Sequence, residues 1–255
     1  MRRSGAASGP PATWTGELWW RMKRHLLLKL AGTTFVTWAF FVGYFHLLRH
    51  PLHPAFIVPL TPFDAWVPFV PHAIVPYLSL WFYVGIAPGL QRTFPQLLAY
   101  GAWAVLLCVT GLAIFYWWPT AIPPLTFGTT GYFGFDLLQG IDARGNACPS
   151  MHVAIALFSA IWIDVQLREM GAPGLLRAIN WIWFAAITLS TLAVRQHVVI
   201  DVVAGFLLGL AFSIPSLILR PGRARRGASR GGPDIMSLAQ HLARRASPVE
   251  PDRRG

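Results

Sequence analysis

Two histidines stand at the mouths of long apolar runs. One closes the stretch Cys148-Pro149-Ser150-Met151-His152, and the other lies in Gln196-His197-Val198-Val199-Ile200-Asp201. An ionisable group bordering a membrane span costs free energy, so its presence there points to function. His197 and Asp201 are four residues apart, which on a helix places them on one face, where the carboxylate takes an imidazole N–H. That bond fixes the tautomer and frees the other ring nitrogen as a nucleophile or base. His152, just after a Pro-Ser pair, supplies the second catalytic group. Each feature has a plainer reading when taken alone: an interfacial or cap histidine for His152, and a helix-stabilising pair for His197 and Asp201. Their joint placement at one membrane face argues against both.

Two arginines sit beside these motifs: Arg144, eight residues before His152, and Arg195, two before His197. Phosphoryl transfer is catalysed mostly by positioning and charge stabilisation, and the guanidinium fork suits phosphate oxygens. Headgroup contact or a surface ion pair is the alternative for either. Ser150 falls in the first turn of an expected span, where free N–H groups and the helix dipole favour an anion. Its hydroxyl reads as a donor to phosphate or as a helix cap. Asp142 either orients Arg144 or is a solvated loop acid. Gly205 and Gly209 form a G-x-x-x-G, read as a close-packing helix face.

The P-S-M-H stretch, followed one helical hairpin later by H-x-x-x-D-x-x-x-G, resembles the type 2 phosphatidic acid phosphatase superfamily over roughly residues 60 to 215. That superfamily includes lipid phosphate phosphatases, lipid phosphotransferases and the vanadium haloperoxidases. Its first motif, a Lys followed by Arg-Pro, is absent, since no Lys occurs after Lys29. Its third motif begins Ser-Arg, where this chain has Ser190-Thr191. With Arg195-Gln196 directly before His197, the chain looks more like the inositol phosphorylceramide synthase branch. The resemblance implies that His197, oriented by Asp201, attacks phosphorus to give a phosphohistidine, while His152 protonates the leaving oxygen. It also implies a phosphate-binding arginine nearby, for which Arg195 is the best substitute, aided by Ser150 and Arg144. No metal or other cofactor is required by this scheme.

The elements that must position these groups are membrane spans. Hydrophobic residues make up 55% of the 255 and charged residues 12%, a balance foreign to soluble domains. The hydropathy predicts an all-α integral membrane bundle of six transmembrane helices: Leu26–Leu48, His72–Ala87, Phe94–Trp118, Pro149–Leu167, Leu175–Val194 and His197–Leu219. The first is read as an uncleaved anchor rather than a signal peptide. Residues 1–25 form an N-terminal segment whose mixture of Trp14, Trp19 and Trp20 with Arg21, Lys23 and Arg24 suits an interfacial helix. The membrane domain covers 26–220, and 221–255 is a basic tail, read as disordered apart from a short helix near Met236–Arg245. The proline- and aromatic-rich stretch 50–71, with Asp64 its only acid, is expected at the membrane surface. His50, His53 and His72 lack a Cys or carboxylate at ligand spacing, so they read as interfacial rather than metal-binding. Residues 119–148 form a long loop, and loops of that length are usually functional.

The net charge of +11 gathers at the chain ends, with no basic stripe interleaved with aromatics. Anionic headgroups are therefore the expected partner, and nucleic acid is not. With six spans, 18 of the 21 Lys and Arg fall on the side of both termini and three opposite. That asymmetry places the termini in the cytoplasm and both histidines at the extracytoplasmic face, as in a bacterial inner membrane. Cys108 and Cys148 are expected to be free thiols. The function expected is a lipid phosphate phosphatase acting on a lipid phosphate or phospholipid. A phosphotransferase to an alcohol, and a non-catalytic scaffold or transporter, stand as alternatives.

Overall fold

The computed structural model describes residues 13–124 and 145–222. Arg144, Asp142, most of the predicted 119–148 loop and the predicted short helix at 236–245 lie outside the described residues. The chain divides into two units, 1–218 and 219–255. In the second, the described residues 219–222 make a turn, with Gly222 at φ 86°.

Unit 1 is a helical bundle. Among the described residues its helices are α1 (Trp14–Lys23), α2 (Leu26–Arg49), α3 (Ile74–Gly89), α4 (Phe94–Trp117), α5 (Met151–Met170), α6 (Gly174–Ala193) and α7 (Val199–Ile218). Five of them (α2, α4, α5, α6 and α7) are long and apolar enough to cross a membrane. The 16 residues of α3 correspond to the predicted second span, and a 3-10 turn at Pro71–Ala73 precedes them. Large apolar side chains face outward, among them Phe82 at 84% and Leu27 at 82% exposed, while Trp162 and Phe158 are fully enclosed. Such an exterior suits lipid rather than water, and the chain is a membrane protein by this measure. One departure from an all-helical chain is a short parallel pair, β1 (Phe56–Ile57) with β2 (Thr120–Ala121).

Helix α5 is the central strut, with 72% of its apolar window buried. It packs against α3, α6 and α7. Glycines let α7 approach it: a Cβ on Gly205 would overlap the Ser150 carbonyl oxygen, and one on Gly209 would lie 2.8 Å from that of Ala154. The G-x-x-x-G is thus a helix contact, as its spacing suggests.

The bundle has two chemically distinct ends. At one, the Lys29 ammonium donates to the carbonyls of Arg21 (2.6 Å), Gly89 (2.7 Å) and Gln91 (3.1 Å). All three of its protons are used, closing the C-terminal turns of α1 and α3. Arg21, wholly buried, donates to Glu17 and Gln166. Helix α1 is therefore fastened to the bundle through Arg21, which donates to the Leu90 carbonyl and to Gln166. Asp164 pairs with Arg168 and Arg177 at the same end. The opposite end collects the two histidine motifs.

Candidate active site

Ser150 caps α5. Its Oγ accepts the Val153 N–H at 3.4 Å, and its own N–H donates to the Asp201 carbonyl at 2.9 Å. The two motifs are therefore joined backbone to backbone, and the glycine at 205 allows that approach. Across this junction the rings of His152 and His197 lie 5.7 Å apart, inclined at 60°.

His197 is not on the helix that carries Asp201, contrary to the i,i+4 reading. The N–H groups of Gln196 and His197 both donate to the Thr191 carbonyl at 3.1 Å, which ends α6 and turns the chain. Arg195 takes a left-handed conformation in this turn, with φ 57°. Helix α7 starts only at Val199. Asp201, in its first turn, reaches back so that Oδ2 accepts the Val198 N–H at 3.0 Å, half of a capping box. The same oxygen lies 3.5 Å from His197 Nδ1. Nδ1 is buried and makes no hydrogen bond among the described residues. The pair is adjacent but not closed, as catalytic hydrogen bonds often are before substrate binds.

Aromatic side chains frame His152. Tyr77 stacks on it at 4.6 Å and 26°, and Trp81 meets it edge-on at 5.9 Å. Both come from α3, and neither was singled out from the sequence; aromatic residues inside a span carry no distinguishing signal. Cys148, a free and buried thiol, adjoins Asp201. Burial, followed by the charge of that carboxylate and a hydrogen bond to it, pushes the thiol up to about 11.

Thr191 stands where the resembled motif carries arginine. It is fully buried, and its hydroxyl donates to the Thr188 carbonyl at 2.8 Å. Arg195 reaches away from the turn: Nη1 donates to the Asp64 carbonyl (3.2 Å) and Nη2 to that of Val67 (2.7 Å). Its Nε is buried without a partner among the described residues. Of the six site residues expected, Ser150, His152, His197 and Asp201 converge, and Arg195 adjoins them in the chain. Arg144 lies outside the described residues.

Helix α5 carries one histidine, and the turn before α7 carries the other, to the same end of an apolar bundle of membrane-spanning helices. A family model of the PAP2 superfamily matches residues 52–214, well over half of the chain. The chain belongs to the PAP2 superfamily. No curated protein and no solved structure matches it.

Proposed function

We propose that this protein is a lipid phosphate phosphatase working through a phosphohistidine on His197 at the extracytoplasmic face. One observation carries the reading: the rings of His152 and His197 converge to 5.7 Å across a junction made by the two motifs themselves. Asp201, 3.5 Å from Nδ1 of His197, closes on the Nδ1–H when substrate binds and leaves Nε2 to attack phosphorus in line. His152 protonates the departing lipid oxygen and then takes a proton from the water that cleaves the phosphohistidine. The equatorial oxygens are met by the Ser150 hydroxyl at the α5 N-terminus and by Arg195, whose unpartnered Nε is a donor in want of an acceptor. Arg144 is the second candidate cation, since Thr191 cannot serve.

The same reading counts six spans, with α3 as the short one. Tyr77 near its start stacks on His152, and Gly89 at its end accepts from Lys29, so α3 runs between the same two ends as its neighbours. Lys and Arg then divide 18 to 3, which supports cytoplasmic termini, an extracytoplasmic site and a bacterial inner membrane. Helix α1 lies along the cytoplasmic interface.

The turn before α7, with Arg195-Gln196 ahead of His197 and a spent Thr191, favours a second reading. It resembles the inositol phosphorylceramide synthase branch, which hands the phosphoryl group to an alcohol. One experiment decides between them: the purified protein receives a panel of lipid phosphates and phospholipids, with and without inositol, glycerol or ceramide, and all products are identified. Phosphate release indifferent to alcohols supports hydrolysis. A phosphorylated alcohol formed at the expense of phosphate supports transfer, and no turnover of any donor rejects both.

A further inference from the structure

Asp64 belongs to neither motif. It lies in the segment between α2 and α3 and is nonetheless buried, at 4% exposure. A buried carboxylate persists only where its oxygens are satisfied. Those of Asp64 are, and in a directed way. Oδ2 accepts the N–H and the hydroxyl of Thr61, both at 2.7 Å, within its own 3-10 turn at Pro62–Ala65. That fixes the carboxylate plane and leaves Oδ1 to accept the Val199 N–H at 2.8 Å. Val199 is the first residue of α7, two positions beyond His197.

The same short segment holds the turn from its other side. The Asp64 and Val67 carbonyls accept from Arg195, and the Val70 N–H donates to the Ala193 carbonyl at 3.0 Å. His197 is thus bracketed, with Arg195 tied before it and Val199 tied after it, both to residues 64–67.

We infer that Asp64 is a positioning residue that sets the orientation of the His197 imidazole toward Asp201. The inference rests on the phosphoryl-transfer reading for its consequence in turnover, but not for its geometry. Among the described residues, the charged and titratable groups around the turn are Arg195, Asp201, His152 and Cys148; Asp64 acts on the backbone between them rather than on the substrate. Without its Oδ1, the first residue of α7 loses its tie to residues 64–67 and the imidazole swings relative to Asp201. A misplacement of about 1 Å costs on the order of 10²-fold in rate.

The test compares wild type with Asp64→Asn, Asp64→Ala and Thr61→Ser in lipid nanodiscs. Two readings are taken: kcat and KM per folded protein, and the tautomer of ¹⁵N-labelled His197, assigned by difference from His197→Gln. Wild type and Thr61→Ser should show a single Nδ1–H tautomer. Asp64→Ala should lose it and lower kcat on the order of 10²-fold with KM within about threefold, and Asp64→Asn should fall between. An unchanged tautomer in folded Asp64→Ala or Asp64→Asn overturns the inference whatever the rate. A wild type with no turnover, but with a tautomer that depends on Asp64, rejects the enzymatic reading and leaves the positioning role standing.

Discussion

Gly205 faces the carbonyl oxygen of Ser150 at a distance that leaves no room for a side chain. The Ser150 N–H meanwhile donates to the carbonyl of Asp201, one turn earlier on the same helix. This contact sets the spacing of α5 and α7, and therefore of the two histidines. Gly205→Ala should cost about 1–3 kcal/mol by overpacking and reduce turnover on the order of 10²-fold by displacing the site. Gly101→Ala, where nothing lies within 4 Å, is the control and should leave turnover unchanged while raising stability by up to about 1 kcal/mol. Thermal unfolding in detergent, alongside lipid phosphate hydrolysis, measures the pair. A Gly205→Ala protein with wild-type stability would show that the helices do not pack as described.

Arg195 combines an unfavourable backbone with an anchoring side chain, and substitution can separate them. Arg195→Ala should lose about 2–4 kcal/mol of transition-state stabilisation, the scale of one oxyanion donor. Relative to Arg195→Ala, Arg195→Gly relaxes the left-handed conformation, a gain of about 1 kcal/mol in stability over Ala, yet should be no more active. Arg195→Lys should recover only part, because an ammonium lacks the planar fork that meets phosphate oxygens two at a time. Values of kcat/KM for the three decide the matter. Activity restored by Gly would assign the residue's role to its backbone.

Much of this arrangement was readable in advance. The long helices end within a few residues of the apolar runs because their signals are local: Thr93 and Ser150 cap α4 and α5 through side-chain oxygens, and Gly171 stops α5 with a left-handed φ of 69°. Ser150, His152, His197 and Asp201 could be chosen because polar groups at span mouths are costly. The placement of His197 off α7 could not, since the Thr191 carbonyl that draws both Gln196 and His197 leaves no trace in hydropathy. Asp64 was visible as the lone acid of its segment, but its partner Val199 is 135 residues away. No periodicity reports a contact of that range. The stacking of Tyr77 on His152 was equally silent, because an aromatic in a span has no marked pattern.

Cys148 provides a pH test of the site's interior. A thiol pushed up to about 11 is protonated at neutral pH, and the thiolate is the reactive form. At pH 8 the thiolate fraction is roughly 10⁻³, and burial lowers access further. Alkylation of Cys148 in the folded protein should be slow at pH 8, accelerate as pH rises toward 11, and become rapid on denaturation at any of these values. Mass spectrometry of the peptide gives the rate. Fast labelling of the native protein at pH 7 would contradict the burial of Cys148 against Asp201.

The proposed topology predicts sidedness. In a background with Cys108 and Cys148 replaced by Ala, a single cysteine at Thr130 should react with an impermeant maleimide from outside the cell. One at Ser247 should react only after the membrane is opened. The reverse pattern would move the site to the cytoplasm.

The central claim is that phosphorus becomes bonded to His197. The direct measurement is a rapid quench of the protein with a ³²P-labelled lipid phosphate, followed by peptide mapping under alkaline conditions, where phosphohistidine survives. The account predicts acid-labile label on the peptide containing His197, absent from His197→Ala, which should not turn over at all. Asp201→Asn should be slowed by as much as roughly 10⁴-fold, by analogy with the orienting acid of a serine protease triad. Full turnover by His197→Ala, or label confined to a peptide without His197, would contradict it.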